Sequence, residues 1–314
     1  MLDIVIVNWN SDVQLLGVVT SIAACFAKTV KRVIVVDNDS TDDSLIIVEA
    51  SETDLPFSLR IIRNPTNQGF GAACNQGARQ ADGEFVLFLN PDIRLFADSL
   101  SVPLAFMEAS QNQSVGICGI QLLDDSGNVS RSCARFPTPG LLYAWMLGFD
   151  KVFPHIFPSQ LMREWGHDTS MDVDQVIGAF FLVRRKLFDQ LNGFDERFFV
   201  YQEEVDFSLR ARRLGWRSHY LAEAKAYHKG GGSSGKVKAR RLFYSLRSRI
   251  LYGYKHFGRF QATAVLLGTL LLEPFSRIAL NLLHCSFKSA GETLSAYLML
   301  YQALPALISG ARKK

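Results

Sequence analysis

Five polar clusters in the chain hold side chains able to bind ions, grip small polar ligands or move protons. The first is Asp37, Asn38 and Asp39, followed by Ser40, Thr41, Asp42 and Asp43. Asp37 ends an apolar run, where a carboxylate can bind a base or a ribose. Ser40 and Asp42 suit equally well the cap of a helix opening there. The second cluster runs through Asn64, Asn67, Gly69, Gly71 and Asn75. Two glycines ahead of a helix let a ligand or a neighbouring backbone come close. Neither glycine-rich phosphate pattern is matched, and a tight turn is the plainer reading. In the third, Pro91 fixes the backbone between Asn90 and Asp92. Asp92 can bind a hard divalent cation that also holds a diphosphate, or simply cap a helix from Leu95 onward. The fourth, Glu203, Glu204 and Asp206, opens a helix and complements its dipole. Adjacent carboxylates also raise each other's pKa, which suits a general base for a hydroxyl. The fifth is His228, beside the glycines at 230–232, a segment with the composition of a mobile lid.

The elements that must position these groups alternate. Apolar runs at 2–7, 32–37, 59–62 and 85–89 read as strands, with helical patterns at 13–26, from 40, and at 71–81. Such alternation predicts an α/β fold with a mostly parallel central sheet covered on both faces. Ligands then bind beyond the carboxyl ends of the strands, which places 8–10, 37–39 and 90–92 on one rim. Further on, 115–123 reads as a strand, 124–128 as a hairpin turn, and 133–174 as a long loop with short helices. A strand at 176–183, helices at 184–191 and 203–214, and a last short strand at 217–221 complete the pattern. A flexible segment at 230–235 precedes a change of character. Residues 236–259 carry eight Lys or Arg and no acid, with Leu242, Leu246, Ile250 and Tyr254 near helical spacing.

The totals bound the class. At 314 residues, 48% of them apolar, the chain can bury a large core and is not disordered. Five scattered cysteines argue against a disulfide framework or a zinc site and fit a reducing compartment. No secretory signal is expected, since no basic segment precedes an apolar one at the start. The apolar run at 262–272 halts at Glu273 and Pro274, short of the roughly 20 residues that span a bilayer. A surface-lying helix is expected there instead of a single-pass anchor. The net charge of +4 divides unevenly: 236–314 hold 13 basic and 2 acidic residues, and 1–235 hold 21 and 28. The basic tail suits an acidic membrane surface or an anionic ligand. No nucleic-acid partner is expected. A dehydrogenase is disfavoured because the first turn lacks its glycines. A nucleotidyltransferase is disfavoured because 8–17 contain neither Lys nor Arg for a triphosphate. A non-catalytic nucleotide-sugar-binding module has no need of two facing acidic clusters.

In order and spacing these motifs resemble glycosyltransferase family 2, and within it rhamnosyltransferase-like bacterial enzymes of cell-surface polysaccharide synthesis. The resemblance runs through Asn8-Trp9-Asn10, Asp37-Asn38-Asp39, Asn67-Gln68-Gly69, Asn90-Pro91-Asp92, Gly178, Gly193-Phe194-Asp195-Glu196, Glu203-Glu204 and His228-Lys229. It covers residues 1–235, with a nucleotide-binding half of about 1–123 and an acceptor half of about 124–235; the tail at 236–314 has no counterpart. It implies a single nucleotide-sugar-binding domain of the GT-A type and inverting, metal-dependent transfer. The favoured donor is dTDP-L-rhamnose, the alternative a UDP-hexose or UDP-N-acetylhexosamine. The implied acceptor is a glycan or a polyprenyl-diphosphate-linked saccharide, met in the cytoplasm or at the inner membrane face. It also assigns roles. Asn8, Asp37, Asn38, Asn67, Gly69, Asn90 and Asp92 serve the donor. Asp92, His228 and Asn90 hold Mg2+ or Mn2+. Gly178, Asp195, Glu196 and Glu203 shape the acceptor side, and Glu204 is the base. The family's metal motif carries an aspartate where this chain has Asn90, and its catalytic pair ends in an aspartate where this chain has Glu204.

Overall fold

A computed structural model describes residues 1–26, 29–51, 55–230 and 237–312. The glycine–serine segment read above as flexible lies outside these residues from 231 onward. Alternation begins at once: β1 (Leu2–Asn8), α1 (Val13–Phe26), β2 (Val30–Asp37), α2 (Ser44–Glu49), β3 (Ser58–Arg63), α3 (Phe70–Ala78) and β4 (Phe85–Leu89). Then come β5 (Ile93–Leu95), α4 (Ser101–Glu108), β6 (Val115–Leu123), β7 (Val129–Ser130) and β8 (Cys133–Ala134). Two short helices, α5 (Pro139–Met146) and α6 (Phe149–Val152), occupy the loop-rich middle. They are followed by β9 (Met171–Val173), β10 (Gln175–Val176), β11 (Phe180–Arg184), α7 (Arg185–Gln190), α8 (Glu203–Arg213) and β12 (Arg217–His228). The chain ends in α9 (Lys238–His256), α10 (Arg259–Leu267), α11 (Glu273–Leu283) and α12 (Phe287–Arg312).

Two compact units result. The first comprises 1–136, 165–196 and 203–233; the second comprises 137–164, 197–202 and 234–314.

The first unit is built on a sheet ordered β3-β2-β1-β4-β11-β6-β12-β5. β3, β2, β1 and β4 run parallel, so their carboxyl ends share a rim. β11 enters antiparallel to β4 and β6, which brings its first residues to that rim. β12 is parallel to β6 and therefore ends there as well. β1 and β4 are buried along their whole length, as continuous apolar runs in the middle of a covered sheet require. The hairpin at 124–128 forms as its turn residues indicate: Gly127 adopts φ +77° and its N–H donates to the Asp124 carbonyl.

Two expectations change here. Residues from Ile93 form strand β5 against β12 instead of a helix, and the next helix starts only at Ser101. Asp92 is therefore not a helix cap. β12 is also longer than 217–221: a register shift between Leu221 and Lys225 lets it continue to His228. Ala222, Ala224 and Ala226 are buried along that extension, small residues whose low strand propensity hid it.

In the second unit Leu246, Ile250, Leu266, Tyr297, Leu300 and Leu307 form one apolar cluster. The apolar run at 262–272 does not end at Glu273. A π-helical turn, Gly268–Leu272, joins α10 to α11, and Pro274 falls at the start of α11, where its missing N–H costs little. The result is a 25-residue helix, Arg259–Leu283, long and apolar enough by length and composition to cross a membrane.

Candidate active site

The rim is braced first by β1 and β2. Asn8 is fully buried, and its amide donates to Asp37 Oδ1 at 2.7 Å, Ser44 Oγ at 2.9 Å and Ser40 Oγ at 3.1 Å. Its carbonyl oxygen accepts from the Ser11 hydroxyl. Asp37 Oδ2 accepts from the Ser40 N–H at 3.2 Å, so both carboxylate oxygens are held. Ser40 thus ties the two strand ends together, while Asp42 takes the helix-start role, accepting from Ser44 N at 3.3 Å. Asn10, Asp12 and Asp39 all adopt positive φ in these loops, a conformation that Asn and Asp tolerate better than most residues.

An amide ladder continues the brace. Asn38, only 2% exposed, donates to the Gly69 carbonyl at 3.1 Å and accepts from Asn64 at 2.9 Å. Asn64 in turn exchanges two hydrogen bonds with Gln76 on α3, at 2.8 and 3.0 Å. Gly69 has φ +88° and ψ 169°, a backbone open in practice only to glycine, and its N–H donates to Asn67 Oδ1 at 2.9 Å. The loop ahead of α3 is therefore set by amide side chains, with Asn38 and Asn8 spent inside the protein and Asp37 at the edge.

At the end of β4 the Asn90 N–H donates to the Ala179 carbonyl at 3.0 Å, placing Gly178 and Ala179 against the Asn90–Asp92 turn. Across it, His228 pairs with Ile93, and the Lys229 N–H donates to the Asp92 carbonyl at 3.2 Å. Asp92 Oδ1 and His228 Nε2 stand 3.4 Å apart on side chains 9% and 15% exposed. Two donors each about 2.1 Å from one divalent ion, at 90–110° to each other, stand about 3.0–3.4 Å apart. The pair fits such an ion. Among the described residues no group of three or more His, Cys, Asp or Glu converges, so these two donors would leave most coordination positions to other ligands.

The acids of α8 sit in a different environment. Glu203 is 4% exposed and Glu204 is half-buried. Burial pushes both carboxyls above their usual range, and the Glu204 charge pushes Glu203 further. Glu203 Oε2 and Glu204 Oε2 are buried without a hydrogen-bond partner among the described residues. Cys74 on α3 lies close enough that both glutamates add to the burial that raises its thiol pKa. α8 returns the chain to the start of β12, so its first turn points toward the rim where β12 ends. Tyr201 and Gln202, directly before it, both have positive φ, +67° and +72°, a strained approach costing about 1–2 kcal/mol per residue.

Sequence reading gave no role to Asn75. Its buried amide donates to the Phe194 carbonyl at 2.9 Å and to Glu196 Oε1 at 3.0 Å, and it accepts from the Phe194 N–H at 2.9 Å. Arg210 holds the same loop from α8, donating to the Leu191 and Gly193 carbonyls at 2.8 Å while paired to Asp206 at 2.8 Å. Beneath it Phe88, Phe181, Phe188, Phe194 and Phe207 form an aromatic cluster with centroids 5.1–6.5 Å apart. Asp195 and Glu196 are thereby carried on a loop anchored at both ends. An asparagine in a helix gives no warning of this in sequence, because its partners lie about 120 residues away.

Residues 3–191 match the profile of glycosyl transferase family 2. The N-acetylglucosaminyl-diphospho-decaprenol L-rhamnosyltransferase of Mycobacterium tuberculosis is 27% identical over 265 residues, spanning 80% of this chain and 83% of that one. The rhamnosyltransferase WbbL of Escherichia coli is 28% identical over 176 residues, spanning 55% and 63%. Among solved structures, a mannosyltransferase from Pyrobaculum calidifontis in complex with GDP-Man and Mn2+ superposes with a TM-score of 0.55 at 16% identity, covering 99% of this chain and 81% of that one. That likeness establishes the GT-A-type fold.

Proposed function

Because this chain belongs to glycosyl transferase family 2, and is thereby a glycosyltransferase, we propose that it moves a sugar from a nucleotide diphosphate to an acceptor hydroxyl with inversion at the anomeric carbon. The donor we favour is dTDP-L-rhamnose, and the acceptor a saccharide on a polyprenyl diphosphate at the inner membrane face, in polysaccharide assembly. Two relatives named as rhamnosyltransferases, one of them for a decaprenol-linked substrate, support this choice.

The observation that carries the reading is a compact Asp92–His228 donor set where β4 and β12 end, with Glu204, whose Oε2 is buried without a hydrogen-bond partner among the described residues, in the first turn of α8. Asp37 receives the nucleoside, and Asn8 and Ser40 hold its carboxylate at one angle. Asn67 and Gly69 shape the backbone that meets the donor, and Asn38 keeps that backbone in place. Asp92 and His228, with Asn90, would hold a divalent cation. When bound, that cation neutralises the diphosphate and favours its departure. Gly178, Asp195, Glu196 and Glu203 border the acceptor. Glu204 accepts the proton of the acceptor hydroxyl as that oxygen bonds to the anomeric carbon. The bond from carbon to diphosphate breaks on the opposite face, and its electron pair leaves with the nucleotide. A base in a desolvated pocket holds a proton more tightly than one in water, which is the property this step needs.

The test is thermal stabilisation by dTDP and UDP species with and without Mn2+, followed by turnover of Glu204→Gln. A cation-dependent shift with one nucleotide identifies the base of the donor. Glu204→Gln is expected to lower turnover at least ~100-fold while leaving donor affinity intact. Loss of donor binding in that variant would overturn the assignment.

A further inference from the structure

The second unit carries an apolar surface that its own core does not use. Along the continuous helix of α10 and α11, the side packed inward is made by Ala262, Val265, Leu266, Thr269 and Glu273. The opposite side is a stripe of Phe260, Leu267, Leu271, Phe275 and Leu282, spaced four or seven residues apart and all exposed, Phe260 at 87% and Phe275 at 74%. α12 repeats the arrangement: Ala290, Ala296, Tyr297 and Leu300 face inward, and Phe287, Leu294, Leu298 and Tyr301 face out.

The two helices lie side by side and antiparallel. Asn281 donates to Thr293 Oγ1 at 3.2 Å near the connecting turn, and the Tyr301 hydroxyl donates to the Leu270 carbonyl at 2.8 Å further along. Leu266 from one and Tyr297, Leu300 and Leu307 from the other join Leu246 and Ile250 of α9 in a single cluster. Both outward stripes therefore face away from α9, on the same side of the unit. Contiguous exposed apolar surface of this kind marks a contact site rather than ordinary scatter.

Charge selects the partner. Glu273 is 1% exposed and turned inward, bonded to Arg249 at 2.7 and 3.2 Å and to Arg277 at 2.7 Å. The Trp145 ring lies against both guanidinium groups, 5.0 and 4.8 Å from its centroid. With Glu273 spent in this way, Glu292 is the one other acid from residue 236 onward, against 13 Lys and Arg. Arg259 beside Phe260 and Lys288 beside Phe287 are exposed at the edges of the stripes, where long cationic side chains can reach lipid headgroups. A second copy of this chain would bring the same positive charge to the face; an anionic bilayer complements it. Arg259–Leu283, long and apolar enough by length and composition to cross a membrane, is tied along one side to α9 through the Glu273–Arg249 pair, which leaves its outer stripe for a bilayer to cover.

We propose that the paired outer faces of α10–α11 and α12 are a docking surface for an anionic lipid bilayer, entered by Phe260, Leu271, Phe275 and Phe287 to the depth of the headgroup boundary. Flotation of the full chain with phosphatidylcholine vesicles, and with vesicles containing phosphatidylglycerol, tests this without nucleotide or turnover. A negative result leaves the transferase reading intact. The chain is expected to float with the phosphatidylglycerol vesicles, less with phosphatidylcholine alone, and to be released by alkaline carbonate. The triple variant Phe260→Ser, Leu271→Ser and Phe275→Ser is expected to keep the wild-type melting temperature and to lose vesicle partition at least ~30-fold. Ile46→Ser, an exposed apolar position on the first unit, is expected to float as the wild type does. The proposal is overturned if the wild type does not float, if the triple variant floats equally, or if carbonate fails to release the protein. It is also overturned if sedimentation shows a dimer that the triple variant dissociates while neither protein binds vesicles.

Discussion

Asn75 is the joint between α3 and the loop that carries Asp195 and Glu196, and its replacement separates two kinds of damage. Asn75→Ala removes three hydrogen bonds and leaves the N–H and carbonyl of Phe194, a residue 3% exposed, without partners. Each of the two orphaned buried groups costs about 1–3 kcal/mol, so a loss of about 2–6 kcal/mol is expected. Asn75→Asp keeps the acceptor for Phe194 N–H but turns a carboxylate toward the Phe194 carbonyl and Glu196. Burial and the neighbouring acid raise the folded-state pKa of that carboxylate above its unfolded value of about 3.9. Below pH ~4 it is protonated in both states, and its O–H can restore one bond, so the deficit is small. As pH rises, the unfolded chain ionises first, and the deficit grows until the folded-state pKa is passed. Urea denaturation across pH 4–8, read as the difference from the wild type, is expected to give a constant deficit for Asn75→Ala and a rising one for Asn75→Asp. In transfer assays both variants should raise the acceptor KM and spare donor affinity. A pH-independent Asn75→Asp deficit, or an Asn75→Ala variant as stable as the wild type, would refute the claim that this amide holds the loop.

Other outcomes follow from the same geometry. Glu203→Gln removes a buried carboxyl whose raised pKa makes the folded state costly above the unfolded value of about 4.3; it should raise the melting temperature at pH 7–8 and leave it unchanged near pH 4. Gly193 has φ +72°, and a Cβ there would collide with Asn75 Oδ1, so Gly193→Ala should cost at least ~2 kcal/mol in urea denaturation. Asp92→Ala should abolish any Mn2+-dependent increment in nucleotide stabilisation while leaving the nucleotide-only shift, as thermal scans can show. Glu273→Ala strands Arg249 in the interior and should destabilise the second unit by about 3–5 kcal/mol, seen as an earlier calorimetric transition.

The alternation of apolar runs with helical patterns was enough to place 8–10, 37–39 and 90–92 on one rim, because a parallel sheet puts every strand's carboxyl end on the same side. Residue types alone also singled out Asp92, His228, Glu203 and Glu204 as candidates, since few side chains can bind a divalent ion or carry a proton. What the side chains do with one another was not written there. Asn8 and Asn38 look like ligand groups in the linear order, yet folding directs their amides inward to Asp37 and Gly69. Pro274 reads as a helix terminator, but a π-helical turn puts it where no N–H is needed, and a longer helix results. Asn75 and Arg210 gained their roles from partners distant in sequence. Local periodicity and chemistry are carried by neighbouring residues and can be read along the chain. The direction of a polar side chain is settled by which donors and acceptors the packed core leaves beside it, and only the tertiary structure brings those together.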